Sequence, residues 1–327
     1  MSAARLTAMT PSIEPTQRAE HPRILIISPV RNEASHIARV VRGVAAQQLP
    51  PARWIVVDDG SEDETRQILR RLEPEVPFLT VLATGETPGG RVRDRLALAA
   101  EVRTFKAGLA AAGPLGDYTH VMKLDGDIEL APGYLRTLMQ RFAADPSLGL
   151  AGGVLAEPTS DGRVRHIRIS RVHVHGALKC YTRECFAAIG GIQERLAWDT
   201  IDETYARMRG FAVASFPDLE SLHLRPLGSA DGALRGHARH GECAYISHFP
   251  PTWVTLRALK IMLRPPLVMS GMAFFAGYVR AALTRQTRIA DSEYRRFTRR
   301  ELRGRMLAAL IPVRRTGAER GQEVNAT

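Results

Sequence analysis

The sequence predicts an α/β fold: a mostly parallel β-sheet flanked by helices, with a C-terminal helical extension. Three observations carry this. Short apolar runs alternate with segments of helical period from residue 23 to about 145, the pattern of βαβ units. Polar clusters follow the apolar runs directly, where strands of such a sheet end and ligands bind. A chain of 327 residues, 45% hydrophobic and 24% charged, suits one large α/β domain with an appendage, or two small domains.

The elements follow in order. Arg23 to Ser28 is apolar enough for a buried parallel strand. Ile37, Val40, Val41 and Val44 fall on one face of a helix. Trp54 to Val57 is a second strand. Ser61 with Glu64 forms a capping box before a helix that buries Ile68, Leu69 and Leu72. Phe78–Leu82 is a third strand, and Leu98, Val102, Phe105 and Leu109 mark a longer helix. A fourth strand covers Thr119–Leu124. Pro132 then stands at the tolerated start of a helix that buries Leu135, Leu138, Met139 and Phe142.

The pattern changes near residue 148. Gly149–Leu155 and Arg163–Val174 read as strands, Ile201–Arg209 as helix and Ala212–Phe216 as extended. Residues 226–245 are rich in glycine and arginine, and from 252 the chain is helical and amphipathic. The expected organisation is a lead-in over 1–20, an α/β domain over 21–245, a basic helical extension over 246–315 and a tail over 316–327. No internal repeat is seen.

The formal charge of +11 points to an anionic partner: nucleotide phosphates, nucleic acid or an anionic membrane surface. Aromatic residues make up only 6%, which gives stacking-based nucleic-acid binding little support. Cys180, Cys185 and Cys243 build no disulfide scaffold in so long a chain, and they match no zinc-ligand spacing beside His173 and His175. Residues 1–20 lack the apolar core of a signal peptide, so the expectation is a cytoplasmic protein. Leu267–Val279 is apolar, bounded by Arg264 and Arg280 and too short to span a bilayer. It packs on the α/β domain or lies in the interface of the inner membrane face, its arginines meeting anionic lipid.

Three polar clusters share the ligand edge of the sheet: Arg31–Glu33, Asp58–Ser61 and Asp125–Asp127. Turn and cap chemistry explains any one of them; three converging on one edge point to a site. Asp125 and Asp127, two apart on a turn, suit one hard divalent cation. An EF-hand is excluded, because its required glycine and glutamate fall on Leu130 and Arg136.

Four segments in this order resemble the family 2 glycosyltransferases of the GT-A fold: Ser28–Glu33, Val56–Thr65, Lys123–Asp127 and Ala187–Phe211. The resemblance covers roughly residues 23–225. It implies an inverting transfer from a nucleotide-sugar donor to a hydroxyl acceptor, a glycan or a lipid-linked saccharide. It assigns Pro29, Arg31, Glu33, Asp58 and Asp59 to the nucleotide, and Asp125 to both donor and metal. Asp127 and His223 complete the metal site for Mg²⁺ or Mn²⁺. The family's general base falls on Asp199, with Asp202 and Glu203 as its rivals one turn along. Trp198 stands where the family usually has an acidic residue. Arg235 and Arg239, four apart in a loop closing over the diphosphate, are expected to clamp phosphate oxygens. The glutamine- and tryptophan-containing motif of processive synthases is missing, which argues for one or a few transfers. UDP-, GDP- and dTDP-sugars all remain open as donors.

Two other classes fit parts of the pattern. A nucleotidyltransferase shares the core and the metal carboxylates, but usually opens with a glycine- and lysine-rich phosphate loop, which residues 28–33 lack. A non-catalytic nucleic-acid-binding protein explains the charge but not the carboxylates at the strand ends.

Overall fold

A computed structural model of the chain describes residues 21–84, 99–159, 163–167, 169–225, 232–263 and 266–310. Its first half is built of β1 (Ile24–Val30), α1 (Ile37–Ala45), β2 (Arg53–Asp58), α2 (Thr65–Leu72), β3 (Leu79–Ala83), α3 (Ala100–Ala112), β4 (His120–Leu124), β5 (Ile128–Leu130) and α4 (Tyr134–Ala144). The second half adds β6 (Leu148–Pro158), β7 (Val164–His166), β8 (Leu178–Thr182), α5 (Arg183–Ala188), α6 (Trp198–Met208) and β9 (Ala212–His223). Four helices follow: α7 (Ala233–Ile246), α8 (Pro251–Met262), α9 (Met269–Leu283) and α10 (Ser292–Leu310).

The sheet runs β3-β2-β1-β4-β8-β6-β9-β5, with β7 paired to β6. β1 is parallel to β2 and β4, and β2 to β3. β8 is antiparallel to β4 and β6, β6 and β9 are parallel, and β5 closes the edge antiparallel to β9.

β1 shows why its sequence reads as an unbroken apolar run. Ile24 and Ile26 join a core with α1 and α4, while Leu25 and Ile27 join a second core with α3 and α6. Both faces are covered, so neither carries polar residues. Gly108 lets α3 sit close, because a Cβ there would lie 2.6 Å from Ile27 Cγ2. The register sets Val30 beside Asp58 and Ile27 beside Lys123, which brings the polar loops after β1, β2 and β4 to one edge.

Several sequence expectations change. Ser61 does not cap α2: it ties two loops together, and the N-cap residue, Glu64, makes no side-chain cap. Leu69 is buried as expected, with Ile68 and Leu72 packed at the margin of the core. Leu98 lies outside the described residues. Of the strand expected over 163–174, only Val164–His166 forms one. Alternation hid β8, since buried Lys179 interrupts its apolar run. β9 continues to His223, seven residues past the expected end. The glycine- and arginine-rich stretch is helical from Ala233, and residues 226–231 lie outside the described residues.

α7 and α9 pack backbone to backbone. A Cβ on Gly241 would lie 1.9 Å from the Phe274 carbonyl oxygen, and one on Gly277 equally close to that of Ala238. α9 buries Phe274, Tyr278 and Ala281 on this side and exposes Met272, Phe275 and Val279 on the other. The stretch 267–279 therefore packs with one face only. Among the described residues, no helix is long and apolar enough to cross a membrane. α10 returns to the sheet domain, with Tyr294 5.0 Å from Tyr205 and Glu301 2.8 Å from Arg207.

Candidate active site

The loops after β1 and β2 are laced together by side-chain bonds. Asn32 takes a left-handed conformation (φ 55°) that aims its N–H at Ser61 Oγ (3.0 Å), while its own Oδ1 accepts from the Glu62 N–H (2.8 Å). Asparagine tolerates this backbone better than most residues. The Glu33 and Ala34 N–H groups donate to Thr65 and Asp63 at 2.7 and 3.0 Å. Arg31 reaches the Asp59 carbonyl and Glu62, both at 3.1 Å. Asp58 is buried beneath, accepting from the Ser61 N–H (3.0 Å) and paired with Arg66 (2.7 Å). Pro29, Arg31, Glu33 and Asp59 thereby face a cleft of about 210 Å³, whose other wall carries Glu101, Thr104, Asp125 and Asp127. Six of the residues assigned from sequence thus line one cavity; Asp58 supports it from below.

The acidic end of the cleft is strongly polarised. Asp125 contacts the Lys123 ammonium, which is buried and also donates to the Gly176 carbonyl (3.1 Å). Desolvation pushes the Asp125 carboxyl up to about 6 against the pull of that ammonium. Desolvation also works against ionisation of Asp127, but His223 Nε2 at 3.4 Å and Arg225 at 3.9 Å outweigh it and hold the carboxyl below its usual range. Glu33 pairs with Arg225 at 2.6 Å, yet desolvation beside Asp127 raises its carboxyl to about 7. His223 pairs with Asp127 because β9 sets His223 opposite Ile128.

The donor set suits a divalent cation. Asp127 and His223 supply oxygen and imidazole side by side, and His223 Nδ1, buried without a hydrogen bond, faces Glu157 at 3.7 Å. A carboxylate behind a ligating imidazole is the usual support for such a ligand. Among the described residues no group of three or more metal-ligating side chains is gathered at bonding distance; Asp125 is turned to Lys123 instead.

Asp199 and Asp202 occupy different environments. Asp202 is 2% exposed and accepts from Lys179 (2.8 and 3.1 Å) and from the Tyr181 hydroxyl. Asp199 is half-buried in the first turn of α6, whose N-cap is Ala197 at φ 71°. Only its backbone carbonyl takes a bond from Lys179. A Cβ on Gly176 would lie 3.6 Å from Asp199 Cβ, and the Ala177 carbonyl accepts from the Asp125 N–H (2.8 Å). The 176–177 turn therefore bridges the two acidic sites. Trp198 fills the space between them, its ring 5.2 Å from Lys123 and 5.4 Å from Lys179 and its Nε1 donating to Glu101 (2.8 Å). Arg235 and Arg239 lie on α7, outside the residues that line the cleft.

Sequence reasoning missed Glu101, Thr104, Lys123, Lys179 and Arg225. For the two lysines a signal existed: each interrupts an apolar strand, and a buried ammonium requires anionic partners. Glu101 and Arg225 carried no such mark.

Residues 25–193 match the model of glycosyl transferase family 2. Glycosyltransferase AglE of Haloferax volcanii is 34% identical over 70 residues, which is 21% of this chain and 23% of that protein. The mannosyltransferase PcManGT of Pyrobaculum calidifontis, solved with GDP-Man and Mn²⁺, superposes with a TM-score of 0.52 at 18% identity, over 89% of this chain and 87% of that one. TarS 1-349 of S. aureus, solved with UDP-GlcNAc, superposes at 0.50 and 15% identity, over 88% and 82%. At such identities the superpositions establish the fold. The family match spans more than half of the sequence: the chain belongs to glycosyl transferase family 2.

Proposed function

We propose that the protein transfers a sugar from a nucleoside-diphosphate donor to a hydroxyl of a glycan or lipid-linked saccharide, with inversion. The observation that carries this reading is a single cleft walled by Arg31, Glu33, Asp59, Asp125 and Asp127, with half-exposed Asp199 one turn of chain away. Pro29 and Asp59 bound the nucleoside end, and Asp58 holds that wall rigid. Asp127 and His223, with Asp125, would hold a divalent cation, which when bound offsets charge developing on the departing diphosphate. Arg225 adds positive charge beside Asp127. Arg235 and Arg239 contribute their charge from α7.

Asp199 accepts the proton of the acceptor hydroxyl as that oxygen attacks the anomeric carbon. Asp199 is half-buried, whereas the carboxylate of Asp202 is buried on Lys179 and Tyr181. Trp198 and Lys179 position Asp199 by packing and through its backbone carbonyl. The basic, apolar-faced extension after residue 246 supports an acceptor at the inner face of the cell membrane.

Thermal stabilisation by a panel of UDP-, GDP- and dTDP-sugars with Mn²⁺ tests the reading. A true donor raises the melting temperature, since it binds only the native state. Stabilisation by no member of the panel would refute it.

A further inference from the structure

The last three helices carry the protein's charge and its exposed apolar surface together. Residues 251–310 contain twelve Arg and Lys against three Asp and Glu, which is +9 of the chain's +11. Of the fourteen large apolar side chains exposed among the described residues, ten lie between Leu256 and Leu283. Leu263 and Leu283 are each 79% exposed, and Leu267 is 63% exposed. A solvated helical appendage would not leave such a run uncovered.

The positive charge is ordered as well. Arg295, Arg299 and Arg303 recur every four residues along α10, hence on one face. Among the described residues no carboxylate lies within 4.0 Å of any of them, while Glu301 is taken by Arg207 and Arg305. Arg288 lies near enough to add to the same field, since it acts on Arg299 together with Arg295 and Arg303. Arg280, at the exposed end of α9, is paired with Glu242 at 3.2 Å.

We infer that the exposed apolar edge of α8 and α9, with the arginine face of α10, is a docking surface for an anionic lipid bilayer. Charge complementarity selects this occupant. A second copy would bring two segments of +9 together, which that charge disfavours. An anionic headgroup layer neutralises the arginines while its acyl region receives Leu263, Leu267 and Met272. An apolar wedge plus a polybasic patch is the two-signal requirement for stable interfacial binding. The interlocked backbones at Gly241 and Gly277 fix α9 to α7. Docking therefore holds the catalytic domain at the bilayer that carries the acceptor. Only this last consequence rests on the proposed transferase activity; the docking itself does not.

The test uses the full chain and sedimentation with phosphatidylcholine vesicles, with or without phosphatidylglycerol. Binding is expected to the anionic vesicles only and to weaken with salt. The triple variant Arg295→Gln/Arg299→Gln/Arg303→Gln should lower partition about 100-fold, as expected for three interfacial cations. Leu263→Ser/Leu267→Ser/Met272→Ser should lower it by a similar factor. Both variants should melt close to the wild type, because none of the substituted residues is buried. Wild-type partition of both variants would overturn the inference. So would a concentration-dependent dimer abolished by the leucine variant with no vesicle binding. Sugar transfer is not read in this assay, so its outcome is separate from that of the proposed function.

Discussion

Replacing Asp202 by asparagine is expected to damage folding, and replacing Asp199 to damage turnover. Asp202 is 2% exposed and takes two bonds from Lys179, whose side chain is fully buried, and one from Tyr181. Asp202→Asn leaves that ammonium with Glu203 at 3.1 Å as its remaining carboxylate. Breaking a buried pair costs roughly 3–5 kcal/mol. Glu203 places this case at the lower end, about 3 kcal/mol, a fall in Tm of about 6–12 °C for a domain of this size. Asp199 has a half-buried carboxylate and lends Lys179 only its carbonyl oxygen. Asp199→Asn should therefore shift stability by about 0.5 kcal/mol or less, while turnover falls by a factor on the order of 10²–10⁴. Thermal melts and turnover at saturating donor and Mn²⁺, run on both variants, separate the two effects. An Asp202→Asn protein that melts like wild type yet is inactive, beside an active Asp199→Asn, would place the base at Asp202 and refute the assignment.

Other outcomes follow from the same geometry. Asp127→Ala and His223→Ala should each weaken Mn²⁺ binding in calorimetry, and EDTA should abolish transfer by the wild type. Glu33 in the folded chain titrates near 7, above its ordinary 4.5. It therefore binds its proton more tightly folded than unfolded, and in EDTA its contribution to stability is full below about pH 4.5 and lost as the pH rises through about 7. Glu33→Gln should remove that part of the pH dependence in melts taken at acid and neutral pH. Gly153→Ala would set a Cβ 1.9 Å from the Leu219 carbonyl oxygen; backbone there cannot yield cheaply, and a loss of at least about 1–3 kcal/mol is expected in denaturant unfolding.

What could be read in advance tracks what is local. The strands β1, β2 and β4 announced themselves because they are buried on both faces, and α1 because its four buried residues recur at helical spacing. The Asp125–Asp127 turn and the loops after β1 and β2 stand at strand ends, so their convergence followed from parallel topology alone. The tertiary contributions were not legible. Ser61 looked like a cap, and only the neighbouring loop shows that its oxygen serves Asn32. Glu101 reaches the cleft from α3 because Trp198, some hundred residues on, holds it. Arg225 meets Glu33 across 192 residues of chain. α7 misled because its glycines look like loop residues, although Gly241 is a close-approach point of a helix pair.

The most direct measurement of the central claim is the leaving group. The protein is incubated with candidate sugar nucleotides, Mn²⁺ and a membrane extract as acceptor, and the phosphorus products are followed by NMR. The expected result is release of the nucleoside diphosphate from one donor, abolished by EDTA and by Asp127→Ala. Release of pyrophosphate from nucleoside triphosphates, with no nucleoside diphosphate from any sugar donor, would contradict it and identify a nucleotidyltransferase instead.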